Sequence, residues 1–265
     1  MMIHLEQFTK YFHKGGVNQV LALDRIDLQV ARGDFITIIG SNGAGKSTLL
    51  NALAGTFPPD SGRLLLHGED ISQWPEHRRA KFISRVFQDP LMGTCGALTI
   101  EQNLALAQRR GARRGLAMGV KREDRRRFKD ILRRLGLGLE NRLGDGVGLL
   151  SGGQRQALTM LMATLVPPQV LLLDEHTAAL DPKTARQILD LTRSMIAEQH
   201  LTTLMVTHNM RQALQMGNRL VMLHRGRIIL DIQGEEKSAL SQEDLVARFY
   251  DSQAEDVVTD RMLLG

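Results

Sequence analysis

Residues 35–48 read FITIIGSNGAGKST, a short apolar run that leads into a glycine-rich stretch. The first part is an apolar run rich in β-branched residues, which predicts a buried strand. The run ends in glycines, and Gly40, Gly45, Lys46 and Ser47 fit the spacing G-x-x-x-x-G-K-[ST]. Positions without side chains let backbone N–H groups point at phosphate oxygens, and the next helix adds its positive N-terminal end. The stretch predicts a phosphate-binding loop; a glycine-rich turn without a ligand is the alternative.

Two side chains of this loop predict its chemistry. Lys46 would reach the β- and γ-phosphates of a bound nucleotide, and Ser47 would offer its hydroxyl to Mg²⁺.

Composition narrows the class of protein. The chain has 265 residues, 43% of them hydrophobic, which is enough for one large domain with an insertion. Cys95 is the only cysteine, so no internal disulfide is possible and a reducing compartment is expected. No stretch reaches the roughly 20 apolar residues that span a bilayer, and the N-terminus lacks the apolar centre of a signal peptide. We therefore expect a cytosolic location.

The charge pattern does not identify a partner by itself. The net charge of +5 is compatible with nucleic acid or an anionic membrane and selects neither. Aromatic residues make up 4% of the chain and are not interleaved with basic ones, so stacking on single-stranded nucleic acid is not expected.

Three segments near the N-terminus, 3–8, 20–30 and 62–69, show partial apolar alternation and predict an antiparallel β layer. Between the first two, Phe12 follows Tyr11, and its ring could stack on an adenine. An aromatic side chain that packs at a strand end is the alternative.

Three later strands are predicted to end in polar groups. Residues 81–88 end at Gln88, residues 170–175 end in Asp174 and Glu175, and residues 201–208 end at His208. Strands of this kind indicate an open parallel sheet with a site at the carboxyl ends of the strands. There, Asp174 could hold Mg²⁺ while Glu175 orients or deprotonates a water.

Residues 91–150 are mostly helical from Thr99 onward and strongly basic. This composition predicts an inserted helical subdomain with a basic face, which is either a solvated surface or a contact for acidic headgroups or a partner. The basic residues are Arg109, Arg110, Arg113, Arg114, Lys121, Arg122, Arg125, Arg126, Arg127, Lys129, Arg133 and Arg134.

The segment LLSGGQRQAL follows at 149–158, where Ser151, Gly152 and Gly153 precede a predicted helix over 154–165. It is either a second phosphate-facing helix N-terminus or a capped helix behind a glycine turn. Beyond it, residues 219–232 predict a β-hairpin, and 241–250 predict a short helix in a charged tail.

Together, GSNGAGKST, Gln88, LSGGQ, LLLDE, the ALD at 179–181 and His208 resemble the nucleotide-binding cassette of ABC transporters. The resemblance covers about residues 3–232, and LSGGQ is specific to this family among P-loop ATPases. It implies an α/β fold: a P-loop NTPase (RecA-like) parallel sheet core, an N-terminal antiparallel β layer and an inserted α-helical subdomain at about 91–160. The expected nucleotide-binding domain is 1–234, with a short tail at 235–265.

The resemblance also implies roles. Two copies would pair head to tail, with each ATP between the glycine loop of one and LSGGQ of the other. Glu175 would be the general base, His208 would contact the γ-phosphate, Gln88 would link the site to the membrane partner, and Asp181 would lie at the dimer interface. Ser47, Gln88 and Asp174 would hold Mg²⁺. The residues expected to bind nucleotide are Phe12, Gly40, Ser41, Asn42, Gly43, Ala44, Gly45, Lys46, Ser47, Thr48, Ser151, Gly152, Gly153, Gln154 and Asp181.

One residue departs from the family pattern. His176 follows the catalytic glutamate, where proline is usual. We expect His176 to mark a subfamily without taking part in catalysis.

The expected function is ATP hydrolysis that powers a separate transmembrane permease at the cytoplasmic face of the inner membrane. Import of a small solute such as an amino acid is preferred, with a solute-binding protein as a possible further partner and no nucleic acid. The alternatives are a soluble ABC ATPase acting on ribosomes or DNA, an exporter or extractor cassette, and a P-loop kinase or GTPase.

Overall fold

The computed structural model describes residues 1–112 and 119–250. These form two compact units, one of Met1–Pro75 with the chain from Thr202 onward, the other of Glu76–Leu201. Arg113 and Arg114 of the basic segment lie outside the described residues, as do residues 251–265 of the predicted tail. The predicted helical insertion at about 91–160 falls within the second unit.

The chain begins with three strands in succession, and strands alternate with helices from Val170 to His224. The strands are β1 Ile3–Phe12, β2 Val20–Val30, β3 Phe35–Gly40, β4 Ser61–Leu66, β5 Glu69–Asp70, β6 Ile83–Val86, β7 Val170–Asp174, β8 Thr202–Val206, β9 Arg219–His224 and β10 Arg227–Gln233. The helices are α1 Lys46–Ala54, α2 Glu76–Arg79, α3 Ile100–Gln108, α4 Arg122–Arg133, α5 Gly152–Thr164, α6 Pro182–Gln199, α7 Met210–Gln215, α8 Gly234–Ala239 and α9 at 242–250.

The first unit contains the predicted antiparallel layer, with strand order β2-β1-β4-β5. Strand β2 has the predicted bounds, but β1 is longer than predicted and includes Tyr11 and Phe12. These two residues pair with Leu21 and Val20 of β2, so the hairpin extends beyond the predicted end of the first strand at residue 8.

A second sheet of the first unit has the order β10-β9-β3-β8. Strand β3 is central and parallel to both neighbours. Its apolar residues Ile36 and Ile38 are fully buried, as the β-branched run predicts. Because Ile38 pairs with Val206, the residues two positions further, Gly40 and His208, both lie at the carboxyl edge of this sheet. Strands β9 and β10 form the predicted hairpin.

The second unit combines a parallel strand pair with a helical core. Strand β6 pairs with β7, whose five residues are all buried. Helices α3, α4 and α5 share an apolar cluster that includes Ile100, Phe128 and Leu158. Within the described ranges 1–112 and 119–250, no helix is long and apolar enough to cross a membrane.

The basic segment is not a uniform face. Arg125 forms an ion pair with Glu101 at 2.7 Å, and Arg134 pairs with Glu198. Arg110, predicted on the surface, is half-buried instead and donates to the Ala163 carbonyl at 2.8 Å. Burial lowers its pKa. The difference arises because contacts between elements, which the sequence does not show, hold this side chain inside.

Candidate nucleotide site

The glycine loop between β3 and α1 needs glycine for steric reasons. Gly40 has φ 150°, and a Cβ there would lie 2.2 Å from the Leu223 carbonyl oxygen. Gly45 caps α1 with φ 99°, and its Cβ would lie 2.6 Å from the Ala22 carbonyl oxygen. Both contacts are with backbone atoms that cannot move aside, so side chains are excluded by the fold. The sequence motif therefore reflects packing as well as ligand chemistry.

Lys46 begins α1 and folds back over the loop. Its Nζ donates to the carbonyl oxygens of Gly40 and Ser41, each at 2.9 Å, and the residue is buried. The loop is also held from outside, because the Gly226 N–H of the β9–β10 turn donates to the Ala44 carbonyl at 3.0 Å. The ammonium group and the β9–β10 turn thus both hold the loop by hydrogen bonds to its carbonyl groups. Asn42, Gly43 and Ser47 are exposed, and Ser41 and Thr48 are half-buried.

His208 and Phe12 belong to the same unit as the loop. His208 is exposed two residues beyond β8, at the sheet edge that carries Gly40. Phe12 is 36% exposed, and its ring meets Phe57 edge-on with centroids 5.5 Å apart. Tyr11 is half-buried, and its N–H donates to Asp60 at 2.8 Å. Of the two neighbouring rings, Phe12 is the more accessible.

The carboxylates lie at the end of β7 in the second unit. Asp174 is buried, and its Oδ2 accepts a hydrogen bond from Arg85 Nη2 at 2.6 Å. Glu175 is half-buried and has φ 43°, a left-handed conformation that is strained for a glutamate. The turn after it is closed by the Ala178 N–H, which donates to the Glu175 carbonyl at 2.9 Å.

Gln88 follows β6 by two residues and is exposed. The chain just before it is anchored to α5, because Gln156 Nε2 donates to the Phe87 carbonyl at 3.4 Å. Gln156 is fully buried. The Gln88 loop therefore starts from a fixed point on the helix that follows LSGGQ.

Ser151 caps α5 in a reciprocal pair. Its hydroxyl accepts from the Gln154 N–H at 3.2 Å, and the Gln154 side chain accepts from the Ser151 N–H at 3.2 Å. The Ser151 hydroxyl still has its own proton to donate. The helix is therefore capped, as one alternative of the sequence prediction has it, and its N-terminus, with Ser151 and Gly152, is exposed. That this N-terminus faces a phosphate stays a prediction.

Helices α5 and α6 approach closely at their N-termini. A Cβ on Gly153 would lie 2.2 Å from the Thr184 methyl carbon. Thr184 is itself part of the cap of α6, since its N–H donates to Asp181 at 3.1 Å. Hydrogen bonds from Thr184 hold the pKa of Asp181 below its usual range. Asp181 and the glycines of LSGGQ are therefore neighbours in one unit.

His176 is a buried structural residue. Its exposed fraction is 2%, and its Nε2 lies 3.1 Å from the Thr192 hydroxyl of α6. That hydroxyl donates to the Ile188 carbonyl at 2.8 Å, so it accepts from the imidazole, which carries its proton on Nε2. Burial lowers the pKa of His176 to about 4. The imidazole is therefore neutral near pH 7.

The predicted residues fall into two groups, one in each unit. The glycine loop, Phe12 and His208 belong to the first; Gln88, Asp174, Glu175, Asp181 and the residues of LSGGQ belong to the second. Sequence reasoning missed Arg85. Its signal was a cation in the short strand ISRV, whose other residues are uncharged, and such a position required a counter-charge.

The sequence is similar to those of known transport proteins. The sequence profile of the ABC transporter family matches residues 23–178. The tyrosine transport ATP-binding protein of Clostridioides difficile is 41% identical, over 94% of this chain and 98% of its own length. A thiamine import ATP-binding protein of Salmonella choleraesuis, ThiQ, is 37% identical, over 82% of this chain and 86% of its own length.

Solved structures show the same fold. The ADP conformation of the ATP-binding cassette MJ1267 matches with a TM-score of 0.76 and 28% identity, over 94% of this chain and 98% of that one. The cassette MJ0796, in a dimeric post-hydrolysis state with ADP and Pi, matches with a TM-score of 0.74 and 29% identity, over 88% of this chain and 98% of that one.

The fold is that of a P-loop NTPase of the ATP-binding cassette type. This chain belongs to the ABC transporter family and is an ATP-binding cassette of it. The predicted resemblance, the α/β fold class and the ATPase activity are confirmed.

Proposed function

We propose that this chain is the ATP-hydrolysing subunit of an importer, and that it powers a separate permease for a small solute such as an amino acid. The observation that carries this proposal is the 41% identity to a tyrosine transport ATP-binding protein over nearly the full length of both chains. Relatives named for thiamine and methionine import support the direction of transport. An exporter or a soluble ABC ATPase is the competing reading.

The glycine loop binds the phosphates in this proposal. Backbone N–H groups of residues 40–48 and the N-terminus of α1 supply partial positive charge. Lys46 exchanges its two carbonyl acceptors, Gly40 and Ser41, for phosphate oxygens, which are the stronger partners of an ammonium group. The adenine stacks on the accessible ring of Phe12.

The residues present also suit Mg²⁺. The Ser47 hydroxyl, the Asp174 carboxylate and the Gln88 amide oxygen are hard oxygen donors, and Mg²⁺ is usually held by one or two carboxylates plus substrate phosphates. Among the described residues, no group of three or more His, Cys, Asp or Glu forms an all-protein metal cage. A divalent cation here would neutralise charge on the β- and γ-phosphates.

Glu175 acts as the general base. Its carboxylate takes a proton from a water while the water oxygen forms a bond to the γ-phosphorus. The bond between that phosphorus and the bridging oxygen breaks, and ADP and inorganic phosphate leave. His208 donates a hydrogen bond to a γ-phosphate oxygen and so stabilises the charge that develops there.

A second copy completes each nucleotide site. The exposed N-terminus of α5, with the Ser151 hydroxyl and the N–H groups of Gly152 and Gly153, presents donors to the γ-phosphate held by the partner. Asp181 sits beside these glycines and lies at the dimer interface. Closure is favoured by ATP and lost after hydrolysis, so each cycle can move the permease.

A groove of about 540 Å³ in the second unit suits the permease contact. It lies between the segment around His77 and Lys81 and helix α3, and Gly93 and Leu106 line it. Leu106 is 56% exposed. Leu91 and Met92, shortly after Gln88, are also exposed. Exposed apolar side chains at a groove are typical of a protein contact.

The test is purification of the tagged chain from gently solubilised membranes. The proposal predicts that a polytopic membrane protein co-purifies and raises the ATPase rate. It also predicts that vesicles with the cassette on the inside take up solute from outside when ATP is enclosed in the lumen. Leu106→Glu should abolish co-purification while the isolated chain still binds ATP. Co-purification with ribosomes or DNA alone would favour the soluble ATPase.

A further inference from the structure

Arg85 forms an ion pair that the proposed mechanism does not use. It lies on β6, in register with Leu172 of β7, and its guanidinium reaches past that residue to the end of the strand. Its Nη2 lies 2.6 Å from Asp174 Oδ2, and the two side chains are only 13% and 11% exposed. The contact is therefore an enclosed, charge-assisted hydrogen bond.

The charges explain why a cation stands at this position. Asp174 ends a strand whose residues are all buried, and a carboxylate in such a place needs a counter-charge. Arg85 supplies that charge from the protein itself. Mg²⁺ would supply it from outside, to the same carboxylate. Two cations cannot both bind close to one carboxylate without repelling each other.

The arginine also has a second support. Its guanidinium carbon lies 4.6 Å from the centroid of the Phe87 ring, within cation–π distance. Phe87 directly precedes Gln88. When Asp174 turns to a metal ion, the guanidinium can stay stacked on Phe87, so the exchange requires no large movement of β6.

We propose that Arg85 is a positioning residue that holds the Asp174 carboxylate until Mg²⁺ arrives and competes with Mg²⁺ for it. Arg85 thereby weakens the coupling between metal and nucleotide binding. The inference rests on the proposed function, because it takes Asp174 as part of the Mg²⁺ site.

The experiment measures the affinity of the full chain for a non-hydrolysable ATP analogue by calorimetry, once in EDTA and once in excess Mg²⁺. The ratio of the two dissociation constants reports how much Mg²⁺ strengthens binding. Arg85→Gln removes the competing charge and should raise this ratio by about three- to tenfold over the wild type. Arg85→Lys keeps the charge and should stay within about twofold of the wild type.

Two controls accompany the measurement. Arg110→Gln removes another partly buried guanidinium, one that contacts Ser84 and Ala163 and lines the same groove of about 540 Å³ as Arg85, and it should leave the ratio unchanged. Arg85→Gln combined with Asp174→Asn replaces the ion pair by two amides. This double variant avoids an unpaired buried charge, and in the Asp174→Asn background the effect of Arg85→Gln should vanish.

The outcomes separate this inference from the proposed function. If Asp174→Asn alone leaves the ratio at the wild-type value, Asp174 has no role in metal binding and the proposed function is wrong on that point. If Asp174→Asn lowers the ratio but Arg85→Gln leaves it unchanged or lowers it, the competition is refuted while the metal role of Asp174 stands.

Discussion

Among single residues, two neighbours in the turn after β7 have different roles, one proposed to be catalytic and one structural. Glu175 has a left-handed backbone with φ 43°, and His176 is 2% exposed and hydrogen-bonded to α6. A strained residue persists when its surroundings fix it. The buried imidazole provides such a fixed point directly after Glu175. The hydrogen bond of this imidazole to α6 is a structural reason for histidine, and not proline, at position 176.

Glu175→Gln should separate binding from hydrolysis. The amide keeps the shape of the side chain but cannot take a proton, so we expect the ATPase rate to fall by roughly 10²- to 10⁴-fold while ATP affinity stays near the wild type. Lys46→Ala removes a phosphate contact and should weaken ATP binding itself. Nucleotide titration measures the ATP affinity of each variant, and phosphate release measures its ATPase rate. A Glu175→Gln protein that hydrolyses normally would remove Glu175 from the role of base.

His176 should make stability depend on pH. Burial lowers its pKa from 6.5 to about 4, so between these values the unfolded chain binds a proton that the folded chain does not. The contribution of His176 to the free energy of unfolding is therefore complete above pH 6.5 and is lost as the pH falls towards 4. At about pH 5 we expect a loss of roughly 2 kcal/mol in the free energy of unfolding relative to neutral pH.

Urea denaturation in EDTA at about pH 7.5 and about pH 5 tests this expectation. His176→Gln should lose this part of the pH dependence, and His77→Gln, which changes an exposed histidine, should keep it. Equal pH dependence in wild type and His176→Gln would show that the imidazole is not held neutral by burial.

Among the helices, the close approach of α5 and α6 explains why the second glycine of LSGGQ, Gly153, has no side chain. A Cβ on Gly153 would come within 2.2 Å of the Thr184 methyl carbon, and the next Thr184 atoms are at 3.6 and 3.8 Å. Only the methyl group therefore forbids a side chain. Because threonine is branched at Cβ, its methyl group cannot simply rotate away.

Gly153→Ala should destabilise the protein by about 1–3 kcal/mol, because the added methyl overfills this contact. In a Thr184→Ser background the clashing methyl is absent, and the same change should be neutral or slightly stabilising. Chemical denaturation of the four proteins of this cycle measures the coupling. Equal effects of Gly153→Ala in both backgrounds would mean that the helices are not in contact at this point.

Local patterns predicted the elements whose signal lies within a few residues. The β-branched run before Gly40, the 20–30 strand and the hairpin around His224 were found from alternation and turn residues alone. The tip of the first hairpin was missed, because Tyr11 and Phe12 are held by pairing with β2 and not by their own sequence.

At the scale of the whole molecule, the family could be predicted because several short motifs occur in a fixed order along the chain. Contacts between segments that are far apart in the sequence could not be predicted. The Arg85–Asp174 pair joins residues 89 positions apart, and it depends on the register of β6 against β7. The burial of Arg110 and the closeness of Gly153 to Thr184 likewise arise only after packing.

The proposed transport cycle depends on two copies of this chain closing around ATP. Light scattering of the Glu175→Gln protein, with and without ATP, measures its mass in solution. We expect a monomer of 29.5 kDa without nucleotide and a species of roughly twice that mass with ATP. Ser151→Arg, added to Glu175→Gln, should prevent the dimer while ATP still binds. A Glu175→Gln protein that binds ATP and stays monomeric at high concentration would refute closure of two copies around the nucleotide.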